Sequence, residues 1–287
     1  MPETHKSTYL NLNPEGESPQ TLVVKLGGTQ GVDFTAICED VVALLEAGHN
    51  LVLVHGGSAE ANALGEAVGT PPRFVTSPSG YTSRYTDRPT LEIFCMAVNG
   101  KVNTLLVEQL RKMGVNAFGL SGLDGGLIQA KRKAAIQIIE NGKRKILRDD
   151  YTGKIEAVNT DVLSLLLATR NIPVIAPVAV SENGEALNVD ADRAAAMVAA
   201  ALKAVVLLLL TAVPGLLKNF PDESSLIKNL TVPQLDTALT FAQGRMKKKV
   251  LGAKEALQAG AKRVIIADGR IPAPISNALR GNGTSIQ

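Results

Sequence analysis

The sequence is poor in several residue types that carry recognisable chemistry. Its 287 residues include two cysteines, three histidines and no tryptophan, and aromatic residues make up only 3%. Cys38 and Cys95 lie in apolar stretches and form neither a CxxC pair nor a disulfide framework, which predicts a reducing, cytoplasmic compartment. His5, His49 and His55 show no metal-ligand spacing. The sequence therefore predicts neither a disulfide-stapled protein nor a bound metal.

Long apolar runs are also missing. The most apolar stretch, Ala204 to Leu217, is interrupted by Pro214-Gly215 and is shorter than the ~20 residues that a membrane helix needs. Residues 1–20 are polar, lack the apolar core of a signal peptide and are predicted to form a flexible tail. The net charge of +3 is too small to indicate nucleic-acid binding. With 45% hydrophobic and 20% charged residues, the chain is predicted to be globular, with neither a membrane nor a nucleic acid as partner.

Short β-branched or leucine-rich runs alternate with helical periods along the chain. Thr21–Lys25 and Leu51–Val54 are predicted strands, and each is followed by glycines and then by a helix. This pattern is typical of a parallel sheet covered by helices. It returns later, with strands predicted at 174–180, 204–210 and 263–267 and helices at 192–203, 244–259 and 275–280. No linker separates independent domains, so the sequence predicts an α/β protein whose two lobes share one sheet or one extended interface.

One stretch breaks the alternation. Leu127–Ile139 and Lys143–Leu147 flank Asn141-Gly142, a dipeptide that favours a hairpin turn. The predicted β-hairpin is locally basic, and a solvated, solubilising face is the ordinary interpretation of such a charge run. The alternative is a docking surface for an acidic macromolecule, which such charges would steer. Its candidate docking residues are Lys131, Arg132, Lys133 and Arg144.

Two glycine-rich turns follow predicted strands, Lys25-Leu26-Gly27-Gly28 and His55-Gly56-Gly57-Ser58. Neither matches a P-loop or a dinucleotide fingerprint. Glycines are common punctuation after strands, but they also let backbone N–H groups approach an anion. Lys25 favours the second interpretation, because an ammonium at the end of an apolar strand is costly to bury unpaired. At the carboxyl edge of a sheet it would point into a ligand crevice.

Two further segments combine charge with a predicted helix start. In Asn188-Val189-Asp190-Ala191-Asp192, the acidic residues suit a helix N-cap, while the alternating spacing places Asn188, Asp190 and Asp192 toward one side of an extended segment. In residues 243–250, QGRMKKKV, a solvated basic face is the ordinary interpretation. The apolar period that begins at Met246 makes this segment a helix start, so its three lysines cannot all share one direction.

Five motifs occur in the order found in the amino acid kinase family, which includes acetylglutamate kinase. They are VVKLGG, LVHGGS, ALNVDADRAA, LLLLTAVPGLL and QGRMKKKV, and the resemblance covers nearly the whole chain from Thr21 onward. Residues 71–94, 119–126 and 149–159 resemble, more narrowly, the branch that phosphorylates amino acids attached to the carrier protein LysW in the α-aminoadipate route to lysine. The resemblance implies a three-layer α/β/α sandwich with a mainly parallel central sheet and a β-hairpin insertion.

The resemblance also implies roles for particular residues. Lys25 would grip the transferring phosphoryl group of ATP, Lys249 would act on the leaving side, and Asp192 would hold both lysines. The residues implied for ATP are Lys25, Gly27, Gly28, Thr211, Gly215 and Lys249. The residues implied for the acceptor and the transition-state oxygens are Gly56, Gly57, Ser58, Arg84 and Asn188. Arg84 is matched by position, and the nearby Arg88 competes for the assignment.

Phosphoryl transfer suits these residue types. It places charge on non-bridging oxygens, which paired lysines and glycine N–H groups stabilise. The acceptor is a carboxylate, already ionised at pH 7, so no general base is required. Magnesium would arrive on ATP, held largely by phosphates and water. An arginine in place of a lysine suits bidentate binding of the substrate carboxylate.

Two departures from acetylglutamate kinases, taken together with the stretch GYTSRYTDR at residues 80–88, favour the carrier-linked branch. Ser58 replaces the third glycine of their HGGG turn, and Asp190 replaces the second asparagine of their NVN pattern. The expected reaction is phosphorylation of the side-chain carboxylate of LysW-bound α-aminoadipate. Acetylglutamate kinase and a carrier-bound glutamate kinase of arginine biosynthesis are the enzyme alternatives. A nucleotide-binding storage or regulatory protein is a further alternative, and the joint presence of Lys25, Asp192 and Lys249 argues against it.

The resemblance implies a division of labour along the chain. Residues 21–185 would form an N-terminal lobe that binds the acceptor and carries the docking hairpin, and residues 186–287 a C-terminal lobe that binds ATP. The carrier protein LysW is the implied partner, and a homodimer is expected by analogy with the family.

Overall fold

The structure is a computed structural model that describes residues 20–27, 34–80, 82–133 and 135–287. The predicted tail, residues 1–20, lies outside the described residues apart from Gln20, and so does Gly28 of the first glycine turn. The strands in chain order are β1 (Thr21–Leu26), β2 (Asn50–His55), β3 (Phe74–Thr76), β4 (Thr82–Arg84), β5 (Ala117–Ser121), β6 (Ile128–Arg132), β7 (Ile136–Glu140), β8 (Lys143–Leu147), β9 (Gly153–Val158), β10 (Ile172–Ala176), β11 (Val178–Val180), β12 (Ala186–Asn188), β13 (Val206–Thr211), β14 (Asn229–Leu230), β15 (Val264–Asp268) and β16 (Thr284–Ile286).

The helices alternate with these strands for most of the chain. In order they are α1 (Phe34–Glu46), α2 (Ser58–Ala67), α3 (Arg88–Cys95), α4 (Thr104–Lys112), α5 (Asp161–Ala168), α6 (Ala191–Ala201), α7 (Leu235–Phe241), α8 (Gly244–Gln258) and α9 (Pro274–Leu279). A π-helical segment, Met96–Asn103, joins α3 to α4 with helical backbone at both junctions, so that one continuous helix runs from Arg88 to Lys112. None of the described helices has the length and apolar character that crossing a membrane requires.

The central sheet has eight strands in the order β14-β16-β15-β13-β1-β2-β10-β5. Its pairs are parallel except for β15 with β16. Side chains alternate between two apolar cores, because successive residues of a strand face opposite sides. Leu22 and Val24 pack with α1, α4 and α9 on one face, and Val23 packs with α5, α6, α7 and α8 on the other. The predicted three-layer α/β/α sandwich with a mainly parallel sheet is confirmed.

The two predicted lobes contribute opposite halves of this sheet. Strands β1, β2, β10 and β5 precede residue 186 and lie on one side, whereas β13, β15, β16 and β14 follow it and lie on the other. The halves meet where β1 pairs with β13. The assignment of the acceptor to residues 21–185 and of ATP to residues 186–287 stays a prediction.

The predicted single strand at Val174–Val180 is wrong. It is two strands, since β10 lies in the central sheet whereas β11 pairs with β12 and β6 in a four-stranded sheet completed by β9. Pro177 separates them, and proline has no N–H with which to continue a ladder. The chain therefore changes sheets at this residue.

The predicted hairpin exists, but its first flank is much shorter than Leu127–Ile139. β7 and β8 pair across Asn141 and Gly142, whose φ angles of 51° and 73° suit a tight hairpin turn. β7 also pairs with β3 in a second small sheet, β4-β3-β7-β8. Lys131 and Arg132 instead belong to β6, in the other small sheet, so they are not part of the hairpin. The boundary between β6 and β7 was not predicted, because no glycine or proline interrupts the apolar and basic run from Leu127 to Ile139.

Candidate functional site

The carboxyl ends of three neighbouring parallel strands define one edge of the central sheet. Lys25 of β1 pairs in register with Val54 of β2 on one side and Leu209 of β13 on the other. The two glycine-rich turns and the turn after β13 therefore begin at the same level of the sheet. Ligands of open α/β sheets bind in the crevice at this edge.

Lys25, Asp192 and Lys249 meet at this edge. The Lys25 ammonium is 2.8 Å from Oδ1 of Asp192, and the Lys249 ammonium is 2.9 Å from Oδ2 and 3.0 Å from Oδ1. The three side chains are only 9%, 12% and 11% exposed, respectively. The predicted catalytic group is therefore brought together from β1, the first turn of α6 and the first half of α8. Its distribution over three distant segments explains why only the family resemblance linked these residues.

Burial and neighbouring charges shift the pKa values of both Asp192 and Lys249. Burial acts to raise the pKa of the Asp192 carboxyl, but the two neighbouring ammonium groups outweigh burial and hold that pKa well below its usual value. Burial lowers the pKa of Lys249, and the charge of Lys25 lowers it further, against the opposing attraction of Asp192. Two buried cations thus share one anion. The group has an excess positive charge that an anionic ligand would neutralise.

Asp190 has a different role from Asp192, although both belong to the same acidic motif. Its side chain accepts hydrogen bonds from the backbone N–H groups of Asp192 and Arg193, at 3.0 and 3.1 Å, and so caps α6. The predicted placement of Asn188, Asp190 and Asp192 on one side of an extended segment is wrong, because the helix begins at Ala191. The N-cap interpretation holds for Asp190, whereas Asp192 contacts both lysines, as the family resemblance implies.

The second glycine turn lies against the long helix. A Cβ at Gly57 would lie 2.6 Å from Cγ1 of Val98 and 3.6 Å from Cγ2 of Val102, both in the π-helical segment. A side chain at position 57 would collide with Val98, so packing is by itself a sufficient reason for a glycine there. Gly56 follows β2, and its N–H donates to the carbonyl of Leu26 at 3.3 Å, so this predicted donor is already engaged within the chain. Ser58 is the first residue of α2, and the N–H groups of a first helical turn have no partners within their own helix. Gly27 is buried beside them.

Arg84 lies next to this turn and is 9% exposed. Its Nη2 donates to the carbonyl of Ser58 at 3.1 Å and to Oδ1 of Asn62 at 2.5 Å, and its guanidinium lies over the Phe74 ring. Burial lowers the pKa of this guanidinium. Arg88, the competing residue, is exposed and pairs with Glu92 one helical turn away. The structure therefore places Arg84, and not Arg88, at the turn.

Asn188 is held at the end of β12. Its Nδ2 donates to the Thr86 hydroxyl at 3.1 Å, and Thr86 N–H donates in turn to the buried carboxylate of Asp150. Asp150 also accepts from the backbone N–H and the hydroxyl of Thr152. Asp150 lies in residues 149–159, which resemble the carrier-linked branch, but its contact with Thr86 was not predicted from sequence. A buried carboxylate is recognisable only from the groups that donate hydrogen bonds to it.

Thr211 is the last residue of β13, and Gly215 lies in the turn that follows it. The Thr211 hydroxyl donates to the carbonyl of Val213 and accepts from its N–H, both at 3.0 Å, which closes the turn. A Cβ at Gly215 would lie 2.6 Å from the Thr284 hydroxyl and 2.7 Å from Cδ1 of Leu226. These contacts give both residues a structural function. Their predicted contact with ATP stays a prediction.

The predicted docking residues separate into two groups. Arg144 is exposed on the hairpin, whereas Lys131 and Arg132 are on β6 and Lys133 follows it. Arg132 is engaged within the chain, since it lies over the Tyr151 ring and pairs with Glu185 at 3.2 Å. A cleft of about 350 Å³ lies beside it. The cleft is lined by Lys131, Arg132, Arg148, Ser181, Glu182, Asn183 and Glu185.

Sequence reasoning also missed His55, Asn103 and Asn62. His55 and Asn103 are buried and hydrogen-bonded to each other at 3.0 Å, and Asn62 binds Arg84. His55 stands in the motif that contains the glycine turn, so its position was a usable signal. Asn103 and Asn62 have no such signal. Within the described residues, no group of three or more histidine, cysteine, aspartate or glutamate side chains could hold a metal ion.

The chain is similar to known proteins in both sequence and fold. The model of the amino acid kinase family matches residues 20–268. A LysW-aminoadipate kinase of Deinococcus radiodurans is 55% identical over 265 residues, with 92% of this chain and 91% of the relative covered. One of Thermus thermophilus is 50% identical, with 93% and 100% covered. N-acetylglutamate synthase from Neisseria gonorrhoeae, solved with coenzyme A and N-acetyl-glutamate, superimposes with a TM-score of 0.75 at 26% identity, over 93% of this chain and 59% of that one.

Proposed function

The chain belongs to the amino acid kinase family, and we propose that it phosphorylates α-aminoadipate bound to the carrier protein LysW. The reaction moves the γ-phosphoryl group of ATP to the side-chain carboxylate of the substrate and leaves ADP and an acyl phosphate. It serves lysine biosynthesis. Two relatives named LysW-aminoadipate kinase, at 55% and 50% identity over almost the whole chain, support this choice of reaction.

The observation that carries the proposal is the shared carboxylate of Asp192. The ammonium groups of Lys25 and Lys249 both lie within 3.0 Å of its Oδ1, in surroundings that are almost closed to water. The excess positive charge is fixed before any ligand arrives. A transferring phosphoryl group spreads negative charge over its oxygens, so pre-arranged cations stabilise the transition state without reorganisation.

The glycine turn supplies the second part of the chemistry. Backbone N–H groups of Gly57 and Ser58 donate to the oxygens of the phosphoryl group, and the N-terminus of α2 adds its partial positive charge. The attacking group is a carboxylate, which is ionised at neutral pH and needs no general base. Magnesium belongs to the nucleotide substrate, held by phosphates and water, because both oxygens of Asp192 are occupied by lysines.

Arg84 and Asn188 orient the acceptor in this proposal. Arg84 is fixed beside the glycine turn by Ser58 and Asn62, and Asn188 is fixed by Thr86. Outside the pocket, Lys131, Arg132, Lys133 and Arg144 attract the acidic carrier. Lys131 and Arg132 attract it at the cleft that they line together with Glu185. The guanidinium of Arg132 forms an ion pair with Glu185 there.

We also propose a homodimer that works in the cytoplasm. Three exposed apolar side chains support the dimer: Met96 and Leu105 of the long helix and Phe118 of β5, the edge strand of the central sheet. Exposed apolar side chains on and near an edge strand are candidates for burial by a second copy. The chain has only two cysteines, Cys38 and Cys95, which form no CxxC pair, and this sparse use of cysteine supports a reducing compartment.

The test compares three acceptors at equal concentration with ATP and magnesium: LysW charged with α-aminoadipate, LysW charged with glutamate, and free N-acetylglutamate. We expect the highest kcat/KM with LysW-aminoadipate and no turnover of it by the K25A variant. Faster turnover of LysW-glutamate or of free N-acetylglutamate would assign the chain to arginine biosynthesis instead. ATP binding without turnover of any of the three would favour a regulatory protein.

A further inference from the structure

A buried imidazole lies directly beneath the glycine turn. His55 ends β2 and is completely buried. Its Nδ1 is 2.7 Å from the carbonyl oxygen of Gly56, and its Nε2 is 3.0 Å from Nδ2 of Asn103. A carbonyl oxygen only accepts and an amide nitrogen only donates, so Nδ1 carries the proton and Nε2 accepts. His55 is therefore the neutral Nδ1–H tautomer.

Asn103 fixes this tautomer. Its Nδ2 also donates to the carbonyl of Val174 at 2.9 Å, so that both amide hydrogens have acceptors and the orientation of the amide is determined. Space for the amide comes from Gly119 of β5, where a Cβ would collide with Oδ1 of Asn103. The π-helical segment ends at Asn103, and its Val98 covers Gly57. One helix thus supports both the imidazole and the turn.

Burial keeps His55 neutral. It lowers the pKa of the imidazole to about 4, with the hydrogen bond to Gly56 opposing the change and the nearby charge of Lys25 adding to it. A neutral imidazole adds no charge beside Lys25. It is also out of direct reach of a ligand, because no part of it is exposed. Its influence on chemistry at the edge of the sheet must pass through Gly56.

The geometry of the peptide bond gives that influence a direction. The bond between Gly56 and Gly57 is trans, and in a trans peptide the C=O and the following N–H point in opposite directions. The Gly56 carbonyl is held against Nδ1 of the buried His55, so the Gly57 N–H points away from the imidazole. This N–H makes no hydrogen bond to another described residue. It remains available to a ligand.

We propose that His55 is a positioning residue for phosphoryl transfer, which aims the Gly57 N–H at the transferring group by holding the Gly56 carbonyl. The inference rests on the proposed function, because a kinase reaction gives that N–H its acceptor. His55 touches neither nucleotide nor acceptor. Without its hydrogen bond, the glycine-rich turn is free to rotate the peptide, and the donor loses its fixed direction.

Two variants separate the hydrogen bond from the space that the side chain fills. H55N keeps an N–H donor near the position of Nδ1, and H55L fills the site without a donor. We expect kcat of H55L with LysW-aminoadipate to fall by about 10- to 100-fold, with KM for ATP within about twofold, since one misplaced oxyanion donor has this order of effect. H55N should keep kcat within about threefold. Equal losses in both variants that follow their Tm values would assign His55 a purely structural role and overturn the proposal.

A spectroscopic measurement tests the inference independently of turnover. The chain has only three histidines, so ¹⁵N-histidine labelling gives few resonances, and the one missing from H55N is His55. We expect its Nδ1 to be protonated at neutral pH, and the Gly57 amide resonance to shift when MgADP and aluminium fluoride bind to the wild type but much less in H55L. Protonation at Nε2, or equal Gly57 shifts in both proteins, would contradict the inference. Failure of LysW-aminoadipate as a substrate would instead contradict only the proposed function.

Discussion

The carboxylate of Asp190 accepts a hydrogen bond from the backbone N–H of Asp192, 3.0 Å away, while the carboxylate of Asp192 faces the two lysines. Asp190 therefore caps the start of α6, whereas Asp192, two residues later in the same motif, binds the two lysines. Asp190 aligns the first turn of α6, and that turn carries Asp192. The arrangement provides a matched pair of substitutions.

Asp192→Asn should lower kcat by at least about 100-fold, because an uncharged amide leaves two buried ammonium groups to repel each other and to lose their alignment. Asp190→Asn should retain kcat within about twofold, since asparagine caps helices as well as aspartate does. Steady-state kinetics of both variants with ATP and LysW-aminoadipate provide the measurement. A comparable loss in the two variants would show that charge in the motif, and not the contact with the lysines, matters.

Acid should destabilise the wild type more steeply than the Asp192→Asn variant. The pKa of Asp192 is depressed in the folded state from an ordinary value of 3.8, so the unfolded state takes up this proton first as the pH falls. The contribution of Asp192 to stability is therefore complete above about pH 5 and is lost progressively below pH 4. The free energy of unfolding, measured in urea between pH 2 and pH 7, should converge for the two proteins at low pH. Parallel curves would contradict the assignment.

Gly57→Ala should inactivate the protein through packing, and Val98→Ala should partly restore it. The new Cβ would lie 2.6 Å from Cγ1 of Val98, and shortening Val98 removes that atom. We expect kcat to fall by about 10-fold or more in the single variant and to recover several-fold in the double variant. Gly100→Ala, in the same helix with open space around it, is the control and should leave kcat unchanged. Absence of recovery would mean that the backbone at Gly57 itself excludes alanine.

Arg84→Lys should raise KM for LysW-aminoadipate by about 10-fold or more and leave KM for ATP unchanged. A lysine has neither the planar fork nor the reach to keep the contacts with the Ser58 carbonyl and Asn62 while binding a carboxylate. Arg88→Lys is the matched control and should change neither constant, because Arg88 is exposed and forms its ion pair with Glu92 on the same helix. A larger effect at Arg88 would reverse the assignment of the acceptor arginine.

Much of the fold was predictable because its signals are local. The apolar strands β1, β2, β13 and β15 and the amphipathic helices between them follow from periodicity, and glycines mark the turns. Lys25 could be singled out from sequence because a charge at the end of a buried strand needs a partner. That partner could be named only through the family motifs, since Asp192 and Lys249 follow at great distance along the chain.

The remaining features depend on contacts that leave no local trace. The run from Leu127 to Ile139 is divided between two sheets, and nothing in its apolar and basic pattern marks the boundary. Pro177 did mark a boundary, and its missing N–H was the available signal for the change of sheet. Asn103 is an ordinary polar residue in sequence, and its function under the glycine turn depends on a helix that lies across the end of β2.

The position of β1 between β2 and β13 has a consequence for the synthesis of the protein. Lys25 leaves the ribosome long before β13, which completes the surroundings of β1, and before Lys249, which completes the charge cluster. Contacts so distant in sequence form slowly, because a long loop must be ordered before they stabilise anything. A nascent chain that stops before α8 therefore lacks the second ammonium group, and Asp192 has at most one of its two cationic partners until α8 has been made.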